Sequence, residues 1–151
     1  MYFGQGRSDQ IRRHLQSIAS EVGLKMEQRD LIINSRRALG AAEFAREHGK
    51  FDEMHHALFK AHWELTGKLD EVDDLVRIGA GIGLDAADLR TAIEEDRYAA
   101  VIDDNRHEAE SVGINAIPAH IFGRRYLVLG AQPYEAFQNV LARLREVVEP
   151  G

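Results

Sequence analysis

No cysteine occurs among the 151 residues. A thiolate nucleophile, a disulfide and a cysteine-ligated metal are therefore all excluded for this chain, although the lack of cysteine does not by itself locate the protein. Long apolar runs are missing too, and Met1-Tyr-Phe-Gly-Gln-Gly-Arg7 has no apolar signal core. A cytoplasmic protein without a membrane partner is the expectation. Basic charge is in deficit, with 19 Lys and Arg against 25 Asp and Glu, net −6 and a pI near 5.6. That balance argues against nucleic acid and anionic membranes as partners. The basic pairs Arg12-Arg13, Arg36-Arg37 and Arg124-Arg125 are isolated and read as solvated helix or turn positions. No Gly-x-Ser-x-Gly exists and no Ser-His-Asp order can be defended; Ser35 reads as a helix cap and Ser111 lies near a helix end. Gly79, Gly81 and Gly83 do not form a phosphate loop, because no strand precedes them and no lysine follows in register.

What is present is ordinary for a globular chain: 44% hydrophobic and 29% charged residues. There is no internal repeat, low-complexity segment or linker, so one domain over 1–151 is expected, with a helical region at 8–112 and a β-containing region at 113–148. Residues 1–7 read as a lead. Ser8 is placed to cap a helix over 9–22, with Ile11, Leu15, Ile18, Ala19 and Val22 on one face and Gly23 at its end. Residues 24–33 read as an irregular crossing, with Leu31-Ile32-Ile33 able to form a short strand. Asn34 or Ser35 caps a helix over 36–48, whose alanine face (Ala38, Ala41, Ala42, Ala45) permits close approach of a neighbour. Further helices are expected over 51–65, over 71–80 capped by Asp70, over 86–95 capped by Asp85, over 97–112, and over 133–148. The last turns Phe137, Val140, Leu141, Leu144 and Val147 or Val148 inward.

One stretch reads as β, Gly113 to Pro133. Ala119 to Phe122 forms a short strand, Gly123-Arg124 a tight turn, and Arg125 to Leu129 the return strand. Read from the residues alone, Pro118 either begins an edge strand, where its missing N–H is tolerated, or sits in a cis bond.

The order Ile117-Pro118, hydrophobic strand, Gly123-Arg124, Tyr126-containing strand and Gly130-Ala-Gln-Pro133 resembles the C-terminal part of the DsbA-family thioredoxin-like oxidoreductases. The similar branch is that of FrnE-like proteins and 2-hydroxychromene-2-carboxylate isomerases. A second match, from Asn34-Ser-Arg-Arg-Ala-Leu39 through Ala45-Arg-Glu-His-Gly-Lys-Phe51 to Leu58-Phe-Lys-Ala61, resembles that family's helical insertion. The resemblance spans roughly 11–144. It implies a mostly helical α+β fold, a partial thioredoxin-like (DsbA-type) domain with a helical insertion and a C-terminal β-hairpin plus helix. It also implies a cis bond before Pro118 and makes Ile117 and Pro118 the ligand-binding residues. His120 departs from the hydrophobic residue usual in the family's strand. The family's Cys-x-x-Cys, or the serine that replaces it in the isomerases, lies on a strand–helix unit preceding the matched region. The expectation is a relative without that unit.

Other constellations have plainer readings. Glu53-Met-His-His56 contains a Glu-x-x-His unit, and Asp104-Asn-Arg-His107 only part of a second, so the ligand set of a di-iron bundle is incomplete. Glu94-Glu95 and Asp103-Asp104 diverge on a helix and do not form acid–base couples. His55 and His62 read as structural. No catalytic residue, metal or cofactor is expected. Three functions follow from the resemblance: an oxidoreductase-like protein inactive in dithiol exchange, a non-catalytic homodimeric module binding a peptide or thiol-containing small molecule, and a glutathione-dependent isomerase. The homodimer is expected because a hairpin without the family's first strands leaves one edge unpaired and its faces without cover, exposing residues such as Ile121, Tyr126 and Val128. The purified chain is expected to turn over neither insulin disulfides nor hydroxychromene substrates above the buffer rate, since attack on a disulfide needs a thiolate; a stopped assay with each substrate checks this.

Overall fold

The structure, a computed structural model, describes residues 5–27 and 33–148. Residues 1–4 of the lead and Leu31-Ile32 of the suggested strand lie outside them, as do the side chains of Ile11, Val147 and Val148. The described residues form α1 (Gln5–Glu21), α2 (Arg36–Glu47), α3 (Phe51–Trp63), α4 (Val72–Gly81), α5 (Ala86–Glu94), α6 (Ala99–Ser111), β1 (Ala119–Phe122), β2 (Tyr126–Leu129) and α7 (Tyr134–Val148). This is the mostly helical α+β architecture expected. The chain divides into two compact units, Met1–Ile102 and Asp103–Gly151. Among the described residues no helix is long and apolar enough to cross a membrane.

In the first unit α2 is central and packs against α3, α4 and α5. Ala38, Ala41, Ala42 and Ala45 are all buried, as their spacing implied, and Phe44 fills the gap beside them. Met54 of α3, Leu75 of α4 and Leu89 of α5 are fully enclosed around that face. α4 and α5 approach closely because Gly79 has no side chain: a Cβ there would collide with Cδ2 of Leu89. Gly79 is thus the contact that lets α5 seat.

Several ends differ from expectation. Ser8 is not a cap but lies inside α1, which already runs from Gln5. An interior Ser costs only about half a kcal/mol relative to Ala, too little to stop propagation. α1 also keeps its apolar stripe uncovered: Leu15, Ile18 and Val22 are exposed, and Ala19 alone of these is buried. At α2 the cap position belongs to Ser35, yet the side-chain bond comes from Asn34, whose Oδ1 accepts from the Arg36 N–H at 3.0 Å. Asp70 does not cap α4. A turn closes first, Glu71 N–H to Lys68 C=O, so the helix begins one residue later with Glu71 at the cap position. Asp74 then reaches back to accept from the Lys68 N–H at 2.7 Å and pairs with Arg77 at 2.7 Å. The Arg77 hydrogen bond, and after it the Lys68 N–H, hold the Asp74 carboxyl below its ordinary range. Asp85 caps α5 as expected, accepting from the Asp88 N–H at 2.8 Å. α3 and α5 stop short of the expected ends because Leu65 (φ 56°) and Asp96 (φ 47°) take the left-handed conformation. Thr66 and Arg97 then donate back to the carbonyls of Ala61 and Ala92.

Tyr98 closes this unit from the side of α6. Its ring is buried and its hydroxyl donates to Glu47 Oε2 at 2.6 Å. Burial first, and then the bond to the Glu47 carboxylate, push its phenol up to about 12 from 10.0. A folded-state value above the unfolded one means the contribution is whole below pH 10 and is lost as pH rises through about 12. Alkaline unfolding is thus expected to weaken in Tyr98→Phe, which also loses about 1 kcal/mol at neutral pH through the missing hydrogen bond; urea melts across pH 8 to 12 measure both. Gly79→Ala is expected to cost about 1–3 kcal/mol by overpacking, outweighing the ~1 kcal/mol of helix propensity it gains. Combining it with Leu89→Ala should cost less than the sum of the two single changes, since the colliding group is gone; the same melts provide the cycle.

Candidate functional site: the Ile117-Pro118 loop and the hairpin edge

The second unit holds most of α6, the hairpin and α7. α6 ends at Ser111, and past it Gly113 takes φ of +82°, with Ile114 N–H returning to Ala109 C=O at 2.9 Å. The loop that follows reaches Ile117-Pro118, whose peptide bond is cis, the isomer that the resemblance implies. The Pro118 carbonyl accepts from the Gly130 N–H at 2.7 Å and thereby begins the ladder between β1 and β2. The register pairs Ala119 with Leu129, His120 with Val128, Ile121 with Leu127 and Phe122 with Tyr126.

The turn is one residue longer than expected. Gly123 and Arg124 both take φ of +57°, and Arg125 N–H donates to Phe122 C=O at 3.0 Å. Arg125 is then left over as a bulge, so β2 starts at Tyr126 rather than at Arg125. Gly123 serves twice: it tolerates the left-handed conformation, and a Cβ on it would sit 2.6 Å from Leu144 Cδ1 of α7. α7 begins at Tyr134, with Pro133 just before it. Its half-buried Phe137 lies against one face of the hairpin, 5.1 Å from the His120 ring and 6.0 Å from the Phe122 ring. Val140 and Leu144 are also half-buried, whereas Leu141 is exposed, at the margin of the stripe rather than inside it.

Alternation sends Ala119, Ile121, Leu127 and Leu129 to the other face. There Ile121 is 52% and Leu127 37% exposed. Tyr126 and Val128, expected to lose cover, are half-buried on the α7 side. Among the described residues from 103 onward, none is fully buried. Ile117 is 87% exposed, and no described residue hydrogen-bonds to its N–H or C=O. An extended backbone laid beside it would find both a donor and an acceptor.

The other sequence candidates do not assemble. His56 Nδ1 lies 2.7 Å from the carbonyl of Asp52, which ties the ring to its own helix. His55 stacks between Phe51 and Phe59, at 5.7 and 4.7 Å. Ser111 Oγ donates to Glu108 C=O at 2.7 Å, a helix-end role. Among the described residues no group of three or more His, Asp or Glu could hold a metal ion. Sequence reasoning placed Ile121 among the uncovered residues but missed Leu127 beside it; the signal available was the period-2 alternation, which places both opposite Phe122 and Tyr126.

A family model for the DSBA-like thioredoxin domain matches residues 4–142. The Bacillus subtilis (strain 168) protein YwbO is 27% identical over 100 residues, covering 66% of this chain and 50% of its own length. A crystal structure from Streptomyces coelicolor, described as a probable DsbA oxidoreductase, superposes with a TM-score of 0.82 at 24% identity, covering 93% of this chain and 62% of that one. The chain thus spans half to three-fifths of the length of these relatives. With the model matched over nearly the whole sequence and the fold shared with that oxidoreductase structure, the chain belongs to the DsbA-like thioredoxin domain family.

Proposed function

We propose that this chain is a DsbA-type oxidoreductase-like module that binds an extended peptide or a thiol-containing small molecule at Ile117-Pro118 and does not itself exchange dithiols. The observation that carries the reading is the free N–H and C=O of Ile117 beside a side chain that is 87% exposed. Backbone pairing supplies affinity without regard to sequence, and the apolar side chain adds a preference for apolar ligands. With no cysteine in the chain, no thiolate is available for exchange. The acidic balance, net −6, keeps nucleic acid out of the reading, and a cytoplasmic setting belongs to the same proposal. A glutathione-dependent isomerase is the weaker alternative, since the serine-bearing segment of such enzymes has no counterpart among these residues.

Titration of the nitrogen-15-labelled chain with glutathione and with an extended apolar peptide tests this. The amide shifts of Ile117 and Ala119 are expected to move and saturate with at least one of the two ligands. Ile117→Ala is expected to weaken that binding about tenfold, equivalent to ~1.4 kcal/mol. Shifts confined to α2–α5, or none with either ligand, would sink the reading.

A further inference from the structure

We propose that the open edge of β1 is a homodimerisation surface, on which two copies of this chain pair antiparallel about a two-fold axis at His120. The inference rests on the edge and not on ligand binding at Ile117. The Pro118–Gly130 bond and the register make 118/130, 120/128 and 122/126 the hydrogen-bonded pairs of the hairpin. The N–H and C=O groups of Ala119 and Ile121 therefore point away from β2. Those of Leu127 and Leu129 point out on the opposite edge, but there the Leu129 carbonyl already accepts from Gln132 Nε2 at 2.9 Å. On the β1 edge no described residue hydrogen-bonds to Ala119 or Ile121 through these groups.

A second copy fits this edge in one register. With the axis at His120, Ala119 of each copy faces Ile121 of the other, and all four outward groups on each side are used. The result is a four-stranded sheet with both copies of α7 on one face. Charge permits it. The chain carries a net −6, which opposes self-association, yet no Asp, Glu, Lys or Arg occurs between Glu110 and Arg124. The usual protection of an edge by charged side chains is missing there. The second unit also has a reason to accept a partner: it holds no fully buried side chain among its described residues, and an isolated hairpin is marginal. A four-residue edge with exposed Ile117 and Ile121 beside it buries less than the roughly 800 Å² per partner of a standard interface, so micromolar rather than nanomolar association is expected.

The cysteine-free sequence makes the geometry directly testable in the full chain. In a non-hydrogen-bonded antiparallel pair the two Cα atoms lie about 4.5 Å apart, within disulfide reach. His120→Cys is expected to cross-link between copies under mild oxidation. Leu127→Cys is not, since the two β2 strands would lie about three strand spacings apart, ~14 Å. Ile121→Pro removes an outward N–H and no hairpin bond; sedimentation equilibrium should show a dimer for the parent chain and a monomer for this variant, with helical circular dichroism unchanged. A parent monomer at high micromolar concentration overturns the proposal. So does a dimer that survives Ile121→Pro, or one in which His120→Cys cross-links no faster than Leu127→Cys.

Discussion

How closely two backbones can approach is set by the smallest side chain between them, and both units depend on that limit. In the first, the alanine face of α2 lets α3, α4 and α5 converge on Phe44, and Gly79 lets Leu89 of α5 seat against α4. In the second, Gly123 lets the hairpin turn meet Leu144 of α7. At Gly79 and Gly123 a single methyl group would collide, whereas elsewhere the packing uses ordinary apolar volume. These small residues carry little burial energy of their own. Their effect is to admit the contacts made by Leu75, Leu89 and Leu144, each of which is worth far more.

The two units differ in how far that packing goes. Around α2 a set of side chains is fully enclosed; around the hairpin none of the described ones is. One helix covers only one face of a sheet, and two strands leave two edges. Phe137 and Leu144 therefore make a half-core, with Ile121 and Leu127 facing away from it. An unpaired edge and an exposed apolar face are distinct features of the same hairpin, and pairing at the edge would leave the face open.

Much of this was legible in the sequence. Periodicity located every helix, the Ile117-to-Pro133 pattern located the hairpin and the family, and Asp85 announced the start of α5. What periodicity cannot reveal is whether a face has a neighbour. Leu15 and Ile18 share a side of α1, Val22 follows just past its end, and all three are exposed, because amphipathicity records only which residues point the same way. Caps failed for a related reason. Ser8 and Asp70 have suitable side chains, but a turn or a further helical residue competes locally at similar cost, and the sequence does not say which wins. Left-handed Leu65 and Asp96 could not be anticipated, since neither residue type marks that conformation as glycine does.

Recognition and redox chemistry have separate requirements. Dithiol exchange needs a thiolate, which zero cysteines cannot supply. Holding an extended chain needs only a correctly aimed donor and acceptor, whatever the side chains around them. Backbone contacts alone discriminate poorly, so selectivity must come from the surroundings. Around Ile117 no Asp, Glu, Lys or Arg occurs from Ser111 to Gly123, and Ile117 is the most exposed large apolar side chain described. A charged partner segment would give up hydration there and gain no ion pair in return, whereas an apolar one would bury Ile117 at no such cost. The same argument would hold for a ligand at Ile117 and for a second copy at Ala119 and Ile121, because each would use backbone groups within that one stretch.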